Sequence, residues 1–99
     1  MDSDCKVVWT DEAIDNLEAI LVYLDHGWTQ REVDNFKKML GKKIELIEQN
    51  PKIFPVSAYN PRLRKAVLSR QTIIFYEIAD HVINLVYLFN SKQDIQRIE

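Results

Sequence analysis

The hydrophobic positions change period twice along the chain, and those changes mark out the elements. "CKVVW" (5–9) alternates as a short strand does, with Val7 and Trp9 on one face and Val8 on the other. Thr10 then precedes Asp11 and Glu12, a cap followed by acids that suit the positive end of a helix. Beyond it Ile14, Leu17, Leu21 and Leu24 recur at spacings of three and four with Ile20 beside them, one apolar stripe that faces a core. His26 and Gly27 end this helix, with Gly27 expected as a left-handed cap. "TQRE" (29–32) has the form of a capping box and opens a second helix. Its apolar face is Val33, Phe36, Leu40, Ile44 and Ile47, and Lys37, Lys38, Lys42 and Lys43 lie largely off it.

Asn50 and Pro51 stop the second helix, and Pro55 and Pro61 keep residues 51–61 irregular. From Arg62 the strand period returns in "RLRKAVL", "TIIFYEI" and "VINLVYLF", the last two joined by the tight link "ADH". Those two are apolar on both faces and read as inner strands, whereas "RLRKAVL" is half polar and reads as peripheral. The predicted order is β-α-α-β-β-β. This is an α+β fold of two layers, a helical hairpin packed on one face of a small, mainly antiparallel sheet. The other sheet face must meet solvent or a partner. The tail "SKQDIQRIE" offers Ser91 as a cap, but too few residues follow for more than a marginal helix.

Ninety-nine residues with 46% hydrophobic content correspond to one domain, residues 1–99, with a single core. No apolar run approaches the roughly 20 residues of a membrane span. "MDSDCKVVW" is acidic where a secretory signal is cationic, so a cytoplasmic protein is expected. Cys5, the one cysteine, has no His or Cys at ligand spacing and reads as a small strand residue. No metal-ligand spacing, phosphate-binding glycine loop or nucleophilic triad is present, so neither metal nor cofactor is expected.

The net charge of −2 conceals a gradient. Residues 1–50 carry six Lys/Arg against eleven Asp/Glu, and residues 51–99 carry seven against four. Between Gln49 and Tyr76 there are Lys52, Arg62, Arg64, Lys65 and Arg70 with no acid at all, a local positive field on an acidic body. Strand alternation puts Arg62, Arg64 and Ala66 on one face and Leu63, Lys65 and Val67 on the other. Two arginines on one face suit adjacent phosphates or a partner's carboxylates, or, for Arg64, an ion pair within the fold.

The stretches "VVWTDEAIDNLEAILVYL", "WTQREVDNFKKML" through "LIEQNPKIFP", "LRKAVLSRQTIIFYEI" and "LVYLFNSKQD", in this order, resemble the RelE/ParE superfamily, the toxins of bacterial type II toxin-antitoxin modules. "NPKIFP" between helices and sheet, "LR" opening the hairpin and "FNSKQD" after the last strand are most similar to the ParE-like branch, the plasmid-stabilisation type. The resemblance implies a cognate antitoxin as partner. It also implies one of two actions, blockage of DNA gyrase in the ParE-like branch or cleavage of mRNA on the ribosome in the RelE-like branch.

Cleavage through a 2′-hydroxyl needs a base, cations for the crowded phosphate and an acid for the leaving oxygen. Arg64, Lys65 and Arg70 can supply charge, and Tyr76 or Tyr87 a proton, but both tyrosines lie in apolar strands where a buried, hydrogen-bonded hydroxyl is expected. After the last strand stand Asn90, Ser91 and Lys92, and Lys92 occupies the place where relatives tend to carry Arg. His26 and His81 are expected away from the basic strand, in non-catalytic positions. The residues expected to bind a target or nucleic acid are Arg62, Arg64, Lys65, Arg70 and Lys92. The leading reading is a growth-inhibiting toxin that binds a macromolecular target and is held by its antitoxin. An mRNA endonuclease is the second reading, and a non-toxic structural or regulatory partner that kept the fold is the third.

Overall fold

The computed structural model describes residues 5–25 and 27–90. The elements are β1 (Lys6–Trp9), α1 (Asp11–Asp25), α2 (Gln30–Gln49), β2 (Arg64–Val67), β3 (Thr72–Ala79) and β4 (Val82–Asn90), in the predicted order. They form a helical hairpin on a four-stranded sheet of order β1-β4-β3-β2. β3 and β4 are the inner strands, as their apolar faces require. β1 pairs with β4 in parallel, while β2, β3 and β4 are antiparallel neighbours. The β3–β4 hairpin turns on Asp80 and His81, and Asp80 takes a positive φ of 58°, a conformation that Asp tolerates better than most residues.

The core lies between the hairpin and one sheet face. Ile20, Leu24, Phe36, Leu40 and Ile47 from the helices meet Ala66, Ile74, Tyr76, Ile83, Leu85 and Leu88, with Leu17, Leu21 and Ile44 packed at its margin. The α1 stripe is rotated from the expected one: Ala13 is fully buried and Ile14 is 41% exposed. Adjacent residues differ by about 100° around a helix. The small Ala13 side chain lets the start of α1 sit close to the sheet, where Thr10 is tied to β4. Gly27 has no left-handed backbone, contrary to expectation. Instead the Gly27 and Trp28 amides both donate to the Leu24 carbonyl, closing α1 by tight turns. The capping box at Thr29 and Glu32 forms as expected.

A register shift between Phe75 and Tyr76 places Val86 as an extra residue in β4. Such a bulge moves the following side chains to the other face. Hence Ile83 and Leu85 before it, and Leu88 after it, all reach the core. β1 ends at Trp9, so the edge of β4 beyond Leu85 is met by α1 instead. The Thr10 hydroxyl shares its proton between the Leu85 and Val86 carbonyls at 2.9 and 2.8 Å while accepting the Ala13 amide, and the Leu88 amide donates to Asn16 Oδ1 at 2.9 Å. No buried side-chain polar atom among the described residues is left without a partner.

Candidate target-binding surface

Connection 51–61 is irregular in path but fastened to the sheet at several points. Phe54 packs against the core, and Lys43 Nζ of α2 stands over its ring, 5.4 Å from the centroid. Val56 forms a bridge with Arg64, the Ser57 amide donates to the Leu63 carbonyl at 2.8 Å, and the Lys65 amide donates to the Pro55 carbonyl at 3.0 Å. The connection thereby covers the outer edge of β2 as far as Lys65.

Arg64 and Tyr76 are register partners across β2 and β3, and both reach toward this connection. Arg64 Nη1 donates to the Phe54 carbonyl at 2.6 Å and reaches the Lys52 carbonyl at 3.5 Å. The buried Tyr76 hydroxyl donates to the Pro51 carbonyl at 2.7 Å. Burial pushes the Tyr76 hydroxyl up to about 12, although the positive charge of Arg64 pulls the other way. Together they strap residues 51–54 over the end of the sheet.

The sequence-predicted cations therefore do not form one cluster. Arg62 is exposed at the end of the connection, Arg64 lies beneath it, and Arg70 is exposed in the turn between β2 and β3. Lys65 lies on the face of the sheet away from the helices, while Lys92 and His26 lie outside the described residues. His81 sits in the β3–β4 turn, where its carbonyl accepts the Lys6 amide.

Apolar rows dominate the helix-free face. Register aligns Lys65, Phe75 and Tyr87 in one row and Val67, Ile73 and Phe89 in the next. The Phe75 and Tyr87 rings stack at 4.7 Å between centroids. Tyr76 matches the expectation of a buried, hydrogen-bonded tyrosine, whereas Tyr87 is only half-buried on this open face.

Among the described residues, hollows flank the helices. One of about 210 Å³ lies between the helical hairpin and the sheet, lined by Leu24, Trp28, Phe36, Met39, Thr72 and Asn90 among others. Another, about 260 Å³, runs between α2 and the sheet, lined by the apolar Met39, Leu46 and Leu68 and by Lys42 and Lys43. Sequence reasoning found neither the strap nor the hollows. The signal available for the strap was the pair Arg64 and Tyr76 beside a proline-bounded connection, but their pairing depends on the β2–β3 register. No group of three or more His, Cys, Asp or Glu able to hold a metal ion occurs among the described residues, and none of their helices is long and apolar enough to cross a membrane.

The fold has solved counterparts. A chromosomal ParDE toxin-antitoxin system from P. aeruginosa contains a chain that superposes with a TM-score of 0.76 at 13% identity, over 90% of this chain and 98% of that one. The E. coli DinJ-YafQ toxin-antitoxin complex gives 0.58 at 9% identity over 91% and 96%. A copper-bound mutant toxin from Helicobacter pylori gives 0.58 at 12% over 90% and 97%. At such identities the likeness is one of fold. No curated protein matches the chain significantly. The family profile described as ParE toxin of type II toxin-antitoxin system, parDE, matches residues 7–95, nearly the whole length, and the chain thus belongs to the ParE toxin family.

Proposed function

We propose that this protein inhibits growth by binding a macromolecular target, with DNA gyrase as the candidate implied by its family, and that a cognate antitoxin neutralises it. The observation that carries the choice of binding over catalysis is the use made of Arg64 and Tyr76. Phosphodiester cleavage needs a free cationic fork and an accessible proton donor. Here Nη1 of the Arg64 guanidinium and the Tyr76 hydroxyl both donate to backbone carbonyls of the connection. Arg62, Lys65, Arg70 and Lys92 remain the proposed contacts to the target, and Arg64 acts by holding the connection in place.

For the antitoxin, the hollow between α2 and the sheet supports a docking site. Met39 and Leu46 are exposed apolar side chains on its walls, and Lys42 and Lys43 favour a segment that carries acids beside apolar residues. The β2 edge beyond Lys65, where Val67 is exposed, allows such a segment to add as a strand.

The second reading, ribosome-dependent mRNA cleavage, is favoured by one observation: Lys65, Phe75 and Tyr87 form a cationic and aromatic row on the open sheet face. Purified protein assayed for inhibition of gyrase supercoiling beside cleavage of ribosome-bound mRNA decides between the two. Loss of supercoiling activity without mRNA cuts is expected, and codon-dependent cuts would install the nuclease. Co-expression of the neighbouring antitoxin gene is expected to relieve toxicity and to raise the melting temperature by mass action.

A further inference from the structure

The residues of connection 51–61 that do not face the sheet are unusual for a surface loop. Tyr59 is 97% exposed, Ile53 51% and Val56 45%, and Lys52 and Arg62 are exposed beside them. An exposed tyrosine on a slack loop carries little binding energy, because ordering it on contact costs conformational entropy. This loop is already ordered by its own bonds. Ser57 is buried, and its Oγ accepts the Tyr59 amide at 3.2 Å. Asn60 accepts the Arg62 amide through Oδ1 at 3.1 Å and the Leu63 amide through its carbonyl at 2.9 Å. Below this small closed loop, the Arg64 and Tyr76 strap and the Lys43 contact to Phe54 hold the preceding residues. The result is a pre-organised connection that presents one exposed aromatic ring, with apolar and cationic side chains exposed along the same stretch.

We infer that this connection, with Tyr59 as anchor and Ile53, Val56 and Arg62 exposed along it, is the surface that engages the inhibited target, and that the target presents an acidic protein surface with an apolar socket for the tyrosine. The inference rests on the toxin reading above and gives that reading its contact point. Three features select a protein partner. Tyr and Arg are the residues enriched where protein interfaces concentrate their binding energy, and a rigid apolar centre with a charged rim is the usual interface anatomy. Of the five cations between Gln49 and Tyr76, Lys52 and Arg62 are exposed on this connection, and the stretch contains no acid, so the complementary surface is acidic. Sequence-tolerant capture of single-stranded nucleic acid instead uses aromatic rings lined along a positively charged groove, whereas Ile53 and Val56 beside Tyr59 are aliphatic side chains on an outward loop.

The test compares wild type, Tyr59→Ala, Ile53→Ser, Arg62→Glu and, as a control on the outer surface of α1, Tyr23→Ala. Each is expressed at matched level and scored for growth inhibition, melting temperature and affinity for a short single-stranded RNA. Tyr59→Ala is expected to lower toxic potency roughly tenfold or more, as truncation of an interface anchor does. Its melting temperature and RNA affinity should match wild type, and Ile53→Ser and Arg62→Glu should weaken toxicity in the same direction. Tyr23→Ala should remain as toxic as wild type. If Tyr59→Ala is as toxic as a toxic wild type, the inference fails and the toxin reading stands. If Tyr59→Ala loses toxicity and RNA affinity together, the partner is a nucleic acid and the commitment to protein is overturned. A wild type that leaves growth untouched defeats the toxin reading and this inference with it.

Discussion

Replacing Tyr76 by phenylalanine tests the strap through two opposed effects on stability. The ring is fully buried and Phe keeps its packing, so the variant loses only the hydroxyl and its 2.7 Å bond to the Pro51 carbonyl. Such a bond contributes about 1 kcal/mol net, and because Pro51 is only half-buried, water can reach its freed carbonyl, which keeps the loss near that figure. A melting-temperature drop of about 4–8 °C at neutral pH follows for a domain of this size. Alkaline pH reverses the comparison. The phenol ionises near 10 when unfolded and near 12 in the fold, so its neutral form is the one the fold favours.

With the folded value raised, the wild type keeps its full stability below pH 10 and loses it as pH rises toward 12. The loss is on the order of 1 kcal/mol by pH 11 and about 2 kcal/mol by pH 12. The phenyl ring of the variant cannot ionise, so Tyr76→Phe should be the less stable protein at pH 7, draw level near pH 11 and overtake the wild type above it. Urea denaturation of both proteins followed by circular dichroism at stepped pH measures this, and the lysines cancel in the difference. A gap that stays constant from pH 7 to pH 12 would refute the buried, hydrogen-bonded hydroxyl and with it the strap.

Leu40→Ala, at a buried contact between α2 and the sheet, should cost about 2–5 kcal/mol, read as a lower denaturation midpoint; an unchanged midpoint would contradict the packing. Thr10→Ala removes the cap of α1 and its bonds to the bulge in β4, and a loss of about 1–2 kcal/mol is expected, with an effect below a few tenths arguing against the tie. Tyr87→Phe should remain toxic in a growth assay. Ribosome-bound mRNA cuts that vanish in this variant, with fold and ribosome binding intact, would favour the nuclease. Arg64→Lys keeps the charge but loses the guanidinium Nη1 bond to the Phe54 carbonyl, so it should lower the melting temperature by a few degrees and only partly reduce toxicity.

Local period and end chemistry carried the order of elements. The stripe from Val33 to Ile47, the capping box at Thr29 and Glu32, and the double-sided apolar runs of β3 and β4 are written in neighbouring residues, because helix and strand geometry repeat every few positions. The family likeness was readable for the same reason, since it rests on the order and spacing of those runs. What the tertiary structure decided depends on residues distant in the chain. The phase of α1 turned on how closely Ala13 approaches β4, and the helix end at Gly27 turned on two amides sharing the Leu24 carbonyl. The Val86 bulge changes which face each later residue of β4 occupies, and no local period announces an inserted residue. The candidate site divided for this reason. Sequence alternation set Arg64 on a different strand face from Lys65, as the structure has it, but only the pairing of Arg64 with Tyr76 and the return of residues 51–55 over them turned that arginine inward to a carbonyl and left Tyr59 at the tip. Carbonyls in an irregular connection carry no side-chain signature, so the partner that claims a cation there is known only once the backbone has folded back upon it.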